Sequence, residues 1–293
     1  MKKAQMEYNW AFVIIAGAVI LGFFVTLTVR YIDIQNLKEN AIIASDIYNN
    51  LFNLQKSVYA TQLNLSLTLV TKLDFSCNQL MVGNFIPAGL EKEFIFSPRE
   101  MQTDKISIFV QPWKYPFKIG NLFYISSSQK KYYILYDSNS ADFVSKLELP
   151  KNFNIQKTNS MPKKDENTRI ISFSSSQNGD VKFIDGNENV MINGIKSPIF
   201  GMPLLYGAMF SENYPCMLDK LLKRFSMMID IYKGKADYLF MLNTNCDYSQ
   251  IKFTLSNLKS KIESKNYNEI KNYVKILDEQ NNNLLSINCQ PLY

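Results

Sequence analysis

The apolar residues near the start of the chain form one uninterrupted segment. No charged residue lies between Trp10 and Val29, and twelve positions in that segment are Leu, Ile, Val or Phe. A helix of about 20 residues rises about 30 Å, which matches the hydrocarbon core of a bilayer. Together the large apolar residues favour membrane insertion by roughly 4 to 7 kcal/mol. The pattern predicts a transmembrane helix, and a buried core helix of a soluble protein remains the alternative.

The flanks of this segment predict that it is retained and how it is oriented. A cleaved secretory signal has an apolar region of about 7 to 15 residues followed by a small-x-small site, and neither feature is present here. Lys2 and Lys3 precede the segment and Arg30 follows it. Because Lys and Arg resist translocation, we expect a single-pass protein of the cell membrane with a cytoplasmic N-terminus and an extracellular C-terminal domain.

The helical period continues beyond the membrane segment. Neither Gly nor Pro occurs between Phe23 and Val82. Apolar residues recur at spacings of three and four at Ile43, Ile47, Leu51, Leu54 and Val58, with polar residues between them. The pattern predicts a stalk helix that, with the membrane segment, runs from about residue 7 to 59. Its apolar stripe must be covered, either by the chain's own outer domain or by identical neighbouring chains.

Alternation then replaces the helical period. Apolar residues occupy alternate positions from Leu63 through Leu69 and on to Cys77, which predicts a strand with one buried face. Further strands are expected at Glu93–Ser97, Lys105–Trp113, Lys118–Ser126 and Lys131–Asp137.

The second half of the chain has a mixed pattern. A βαβ-like unit is indicated by the strand Lys131–Asp137, a helix at Ala141–Leu147 and a strand at Phe153–Gln156. A strand at Arg169–Ser174 and a hairpin of Val181–Ile184 with Val190–Ile192 follow. Beyond Gly194 the pattern predicts helices to the end, at Tyr214–Tyr232, Lys235–Leu242, Ser249–Ser264 and Tyr267–Asn288. The apolar run Ile199–Phe210 is either a buried connection or a partner surface.

The cysteines are even in number and lie beyond the membrane segment. We expect disulfides among Cys77, Cys216, Cys246 and Cys289, as in exported domains. Sequence alone leaves all three pairings open. The preferred pairing joins Cys216 to Cys246 and Cys77 to Cys289, and four buried thiols remain the alternative.

The absence of histidine excludes much chemistry. Ser-His-Asp and Cys-His catalysis and His-ligated metal sites are not available to a chain with no histidine. Phosphate-binding glycine loops and nucleophile elbows also lack their signatures. Asp137, at the end of a strand and before a helix, could contribute to a cation site, but Ala141 stands where a third ligand is needed, so a helix cap is the preferred interpretation. The sequence predicts no cofactor, no metal and no enzyme; a carboxylate-dependent enzyme remains a minor alternative.

Two further features concern the surface. The net charge of +6 is scattered along the chain, so nucleic-acid binding is not expected. Asn64 begins an Asn-Leu-Ser sequon and is a candidate for N-glycosylation.

The first residues resemble the class III signal peptide of archaeal type IV pilin-like proteins. Basic Lys2 and Lys3, the small Ala4, then Gln5 and the acidic Glu7 stand directly before the uninterrupted apolar helix. The resemblance covers about the first 30 residues. It implies that a prepilin peptidase removes residues 1–4, that Gln5 becomes the N-terminus, and that Glu7 neutralises the freed amino group of a neighbouring subunit. A plain signal anchor is the alternative.

These features predict an α+β protein with a long N-terminal transmembrane helix that continues into a stalk. The predicted division is a leader at 1–4, the transmembrane and stalk helix at 5–60, a β-rich part at 61–157, and a mixed α/β and helical part at 158–293. The expected function is a pilin-like structural or adhesive protein that contacts lipid and self-associates or joins other pilin-like subunits. Ala18 and Gly22, four residues apart, are candidates for close helix contact. The alternative is a monomeric single-pass protein with an extracellular ligand-binding or sensory domain.

Overall fold

A computed structural model describes residues 2–77, 79–87, 92–242 and 245–293, with side chains of residues 2–9 and 11 outside that description. The elements of the first half are α1 (Lys2–Leu54), β1 (Thr61–Phe75), β2 (Leu80–Val82), β3 (Phe94–Phe96), β4 (Glu100–Lys114), β5 (Lys118–Ser127), β6 (Lys131–Leu135) and α2 (Ala141–Ser145). Those of the second half are β7 (Asn154–Thr158), β8 (Thr168–Ser172), β9 (Val181–Ile184), β10 (Asn189–Ile192), β11 (Ile195–Pro198), α3 (Met202–Phe210), α4 (Tyr214–Leu242), α5 (Ser249–Glu263) and α6 (Tyr267–Ser286). The predicted class is confirmed: one long apolar N-terminal helix, then β-sheets, then C-terminal helices.

Sheet A contains β1 to β5 in the order β2-β1-β4-β5-β3. Neighbouring strands in sheet A are antiparallel, except that β3 and β5 are parallel to each other. The register of β1 against β4 shifts between Ser66 and Thr71. At this irregularity β1 has three residues more than β4, and Leu69 is half exposed, so the prediction that Leu69 continues the buried face is wrong, whereas Leu73 and Phe75 beyond it are buried as predicted.

Helices cover both faces of sheet A. On one face, Asn121 of β5 donates hydrogen bonds to carbonyl oxygens at the C-terminal end of α1. On the opposite face, the ring of Tyr124 lies 6.1 Å from the ring of Phe210 in α3. Side chains of successive strand residues alternate between faces, which places α1 and α3 on opposite sides of the sheet.

Sheet B contains β6 to β11 in the order β11-β10-β9-β8-β6-β7. The strands β7, β6, β8 and β9 are parallel, and β10 and β11 continue the sheet as antiparallel strands. β6, α2 and β7 form the predicted βαβ unit. The predicted hairpin of β9 and β10 is confirmed as well, with Asp185 and Asn187 at positive φ in its turn.

α3 joins the two sheets. Its last residue, Phe210, contacts Tyr124 of sheet A and also the ring of Tyr132 in sheet B, at 5.1 Å. Arg169 of β8 donates hydrogen bonds at 2.8 and 2.7 Å to two carbonyl oxygens at the C-terminal end of α3. The segment Ile199–Phe210 is therefore a buried connection, mostly helical, and its interpretation as a partner surface is wrong.

The part of the chain beyond Gly194 departs from prediction in two ways. The expectation of helices alone is wrong, because β11 (Ile195–Pro198) pairs with β10 before the helices begin, and α4 replaces two predicted helices. The sequence predicted one helix before Gly234 and another after it, whereas α4 runs continuously through Gly234. Glycine inside a helix costs only about 1 kcal/mol relative to alanine, and apolar burial along α4 exceeds that cost.

The cysteines form disulfides, but the preferred pairing is wrong. Cys77 pairs with Cys216, which joins the end of β1 to the start of α4. Cys246 pairs with Cys289, which joins the segment before α5 to the segment after α6. Because α4 is one helix, Cys216 near its start and Cys246 beyond its end are separated by a rod of roughly 40 Å, far beyond disulfide reach.

Candidate functional site: the N-terminal helix

The first half of α1 presents apolar side chains on all sides. Every Leu, Ile, Val and Phe from Phe12 to Val29 leaves 47–72% of its surface exposed. The helix is long and apolar enough to cross a membrane, and none of its most apolar window is buried inside the domain. A core helix of a soluble protein would bury these side chains, so that alternative is not supported.

The two threonines of the apolar segment are hydrogen bonded within the helix. The hydroxyl of Thr26 donates to the carbonyl oxygen of Gly22 at 2.8 Å, and that of Thr28 donates to the carbonyl oxygen of Phe24 at 2.8 Å. In hydrocarbon an unpaired hydroxyl costs free energy because no water replaces its partner. Both threonines are therefore compatible with a membrane segment.

The second half of α1 belongs to the core of the domain. Ile43, Ala44, Ile47 and Leu51 are at most 2% exposed and pack with the apolar residues of β1 and β2. The spacing of these residues is that of one helix face. The amphipathic stripe predicted for the stalk is thus covered by the chain's own domain as far as Leu51. The prediction that the helix and its stripe extend to about residue 59 is wrong, since α1 ends at Leu54 and Val58 is 61% exposed.

The segment from Arg30 to Glu39 connects the two halves. It rises about 15 Å and carries both positive and negative side chains. Tyr31, Ile32 and Ile34 in this segment are also 51–64% exposed. These apolar groups lie beyond the uncharged segment, and no described part of the domain covers them.

Asn121 holds the end of α1, and sequence reasoning did not identify it. Its side-chain nitrogen donates to the carbonyl oxygens of Gln55 at 2.7 Å and Ser57 at 3.0 Å, directly after the helix. The side chain is 5% exposed. The available signal was a polar residue inside an otherwise apolar buried strand, which indicates a specific hydrogen-bonding task.

The residues predicted for processing and helix contact all lie in α1. Ala18 and Gly22 are exposed on one helix face, and nothing described lies within 4 Å of the position where a Cβ of Gly22 would be. The backbone of Ala4, Gln5 and Glu7 is helical, and their side chains are outside the described ones. Cleavage after Ala4 and neutralisation by Glu7 stay predictions.

Asp137 joins two loops at the carboxyl ends of neighbouring parallel strands. Its carboxylate accepts hydrogen bonds from the backbone N–H groups of Asn139 and Ser140 after β6, and from the N–H and hydroxyl of Ser175 after β8. These bonds, that from the Ser175 N–H first, lower the pKa of Asp137 well below its usual value. Donors thus surround the carboxylate, and no group of three His, Cys, Asp or Glu in the described residues could hold a metal ion.

Asn64 lies exposed on β1. Its side-chain oxygen accepts a hydrogen bond from the hydroxyl of Ser107 at 3.0 Å. The amide nitrogen, which a glycan would modify, makes no hydrogen bond to the residues the structure describes. Glycosylation of Asn64 is compatible with this geometry and stays a prediction.

Comparisons with protein-family models, with curated proteins and with solved structures find no match to this chain.

Proposed function

We propose that this chain is a membrane-anchored, pilin-like surface protein that assembles through the apolar half of α1 and displays its α+β domain outside the cell. The observation that carries the proposal is the division of one helix into two parts. One part is apolar on every side and leaves the domain, and the other part lies in the domain core. A helix of this kind can pack laterally against copies of itself without any change in the domain.

The connecting segment offers a further apolar surface for assembly, at the level of the lipid headgroups. A lipid bilayer covers about 30 Å of helix, which Trp10 to Val29 already occupies. Tyr31, Ile32 and Ile34 extend beyond that length and remain exposed next to charged residues. Parallel packing with neighbouring copies of α1 would remove these groups from water.

Processing at the N-terminus would complete the assembly mechanism. Removal of residues 1–4 by a prepilin peptidase would free the amino group of Gln5. In the low dielectric between packed helices, an unpaired charge is costly, and Glu7 of one subunit would neutralise the amino group of the next. The two disulfides are typical of exported domains and support an extracellular position for the domain.

Two measurements on native membranes test the proposal. Mass spectrometry of the N-terminus should find a chain that begins at Gln5. A photo-crosslinking residue at Ile34 should yield dimers and larger species, whereas the same residue at Tyr238, which is 60% exposed on α4, should yield none. An intact Met1 together with only monomeric product from Ile34 would refute the proposal.

A Glu7→Gln variant then separates assembly from anchoring. The substitution preserves shape and removes the charge, so we expect normal cleavage and membrane insertion but fewer crosslinks from Ile34. Unchanged crosslinking would show that Glu7 has no part in assembly.

The second candidate is a monomeric single-pass protein with an extracellular binding domain. It is favoured by the burial of Ile43, Ile47 and Leu51 within the chain's own domain, because this stripe then needs no neighbour. The same experiment distinguishes the two, since a monomeric anchor gives no specific crosslinks from Ile34.

A further inference from the structure

The seam between α5 and α6 forms an open groove. One part, of about 590 Å³, is lined by residues from Ser249 to Asn257 of α5 and from Tyr273 to Gln280 of α6. A second part, of about 240 Å³, adjoins it at Gln250 and Gln280 and extends towards Ile287. Together they follow roughly ten residues of α5, or about 15 Å.

The walls of this groove carry amide side chains that are not used by the fold. Gln250 and Asn257 on α5, and Gln280 and Asn283 on α6, make no side-chain hydrogen bonds to the residues the structure describes. The side-chain oxygen of Gln280 is also buried without a partner among them. A polar atom without a hydrogen bond inside the chain is free to accept one from outside it, whether from water or from a ligand.

Aromatic and aliphatic surface lies between the amides. The ring of Phe253 is 69% exposed and Ile276 is 39% exposed, and Tyr273 lines the same part of the groove. No described aromatic ring stacks on Phe253 or Tyr273. The exposed ring of Phe253 is therefore available to a ligand, whereas Tyr273 packs partly against the core.

The groove has almost no charge, in contrast with the other side of α5. On the side of α5 that faces α4, lysines of α5 and of the turn after it form ion pairs with aspartates of α4. These pairs are Lys252 with Asp237, Lys259 with Asp230 at 2.7 Å, and Lys265 with Asp219 at 2.9 Å. Towards α6, the described residues that line the groove include one charged side chain, Asp247, at one end. The carboxylate of Asp247 already accepts hydrogen bonds from the backbone and hydroxyl of Ser249.

The end of the groove near Asp247 is held rigidly. The disulfide of Cys246 with Cys289 joins the segments that enter α5 and leave α6. Asn281 of α6 accepts a hydrogen bond from the backbone N–H of Leu292 at 2.6 Å and so fixes the segment after α6. Because the walls are already fixed, a ligand would lose little affinity to ordering them.

We propose that the α5/α6 groove binds an uncharged oligosaccharide. Sugar hydroxyls both donate and accept hydrogen bonds, as amide side chains do, and the C–H faces of a sugar ring suit the negative face of an aromatic ring. An apolar protein segment would cover Phe253 but leave the amides desolvated without partners, which costs free energy. The inference does not require α1 to assemble, so it is independent of the proposed function.

Titration of the full chain with neutral tetrasaccharides tests this inference. The probes are cellotetraose, maltotetraose, mannotetraose and chitotetraose, followed by ligand-observed NMR, with the acidic tetragalacturonate as a charged control. The micelles must be made from a detergent without a sugar headgroup, which would compete for the groove. We expect saturable binding of at least one neutral probe and weaker or no binding of the acidic one.

Two groove variants and one control locate the binding. Phe253→Ala should weaken binding about 2- to 10-fold through loss of ring contact, and Gln250→Ala should weaken it by a similar factor through loss of hydrogen bonds. Both residues are exposed, so the fold should tolerate the changes. Tyr238→Ala removes an aromatic ring that is 60% exposed on α4 outside the groove, and it should leave binding unchanged.

Several results would overturn the inference. These are no saturable binding of any neutral probe, binding that survives both groove substitutions, or tighter binding of tetragalacturonate. Self-association that Phe253→Ala abolishes, measured by sedimentation velocity, would assign the groove to a second copy of the chain instead.

Discussion

Gly207 lies at the closest approach between α3 and sheet A, and its replacement by alanine measures how tightly this contact is packed. A Cβ at this position would lie 2.8 Å from one carbon of the Phe96 ring and 3.0 Å from two others. Carbon atoms pack at about 3.5–4.0 Å, so the ring would have to move by roughly 0.7 Å. Phe96 is fully buried and stacks on Tyr124 at 5.9 Å, so it has no free space to move into.

The expected magnitude follows from two opposing terms. Overpacking of a core costs about 1–3 kcal/mol, whereas alanine in a helix gains about 0.5–1 kcal/mol over glycine. Gly207→Ala should therefore destabilise the domain by about 1 kcal/mol, within a range of roughly 0 to 2.5 kcal/mol. At Gly234 of α4, nothing lies within 4 Å of the new Cβ, so Gly234→Ala should stabilise it by about 0.5–1 kcal/mol. The same substitution should thus have opposite signs in two helices.

Tryptophan fluorescence in a urea titration provides the measurement. Trp113 is fully buried and donates a hydrogen bond to the carbonyl oxygen of Phe200 at 3.0 Å, so it reports on the core. Trp10→Phe removes the other tryptophan of the full chain. If Gly207→Ala proves as stable as Gly234→Ala, the contact of α3 with Phe96 is not as close as described and the reasoning fails.

Two further predictions concern the disulfides and the loss of folding stability at low pH. When the native chain is treated with increasing concentrations of reductant, the Cys77–Cys216 bond should open first, because Cys216 is exposed whereas Cys246 and Cys289 are 2% and 6% exposed. Alkylation of the freed thiols and mass spectrometry identify the bond that opens, and earlier opening of the Cys246–Cys289 bond would contradict this prediction. Hydrogen bonds to the Asp137 carboxylate, first from the backbone of the loop after β8, hold the pKa of Asp137 below its value in the unfolded chain. The ionised carboxylate therefore stabilises the fold fully above a pH of about 4, and this stabilisation is lost as the pH falls through the folded pKa. Asp137→Asn should flatten the fall of the urea midpoint as the pH is lowered below about 4, and equal slopes in both proteins would count against this account.

Strong local periodicity made much of the fold predictable. The uncharged run from Trp10 to Val29 and the three-four spacing that begins at Ile43 identified α1, and alternation identified the long strands of sheet A. Both signals arise because one face of an element is buried while the other is not. Helix α3 lacked this signal: Met202–Phe210 is apolar on all sides, so burial was anticipated but the helix was not.

The features that sequence missed depend on distant contacts. The disulfide pairing follows from the continuity of α4 through Gly234, which only tertiary packing decides. The contact of Asn121 with the end of α1 joins residues more than sixty positions apart. Likewise, the apolar run of α1 indicated a membrane segment, but which part of the stalk the domain covers became visible only in the fold.

The continuity of α1 couples the membrane segment to the domain as one rigid element. Between Phe23 and Leu54 there is no Gly or Pro at which the helix would bend easily, and each turn keeps its backbone hydrogen bonds. The buried residues Ile43 to Leu51 prevent the domain from rotating about the helix without breaking its core. A chain anchored through a flexible linker would leave its domain free to tumble. Here, whatever packs against the apolar half of α1 also sets the direction in which the domain faces, so lateral packing of helices would be sufficient to present every domain in the same orientation.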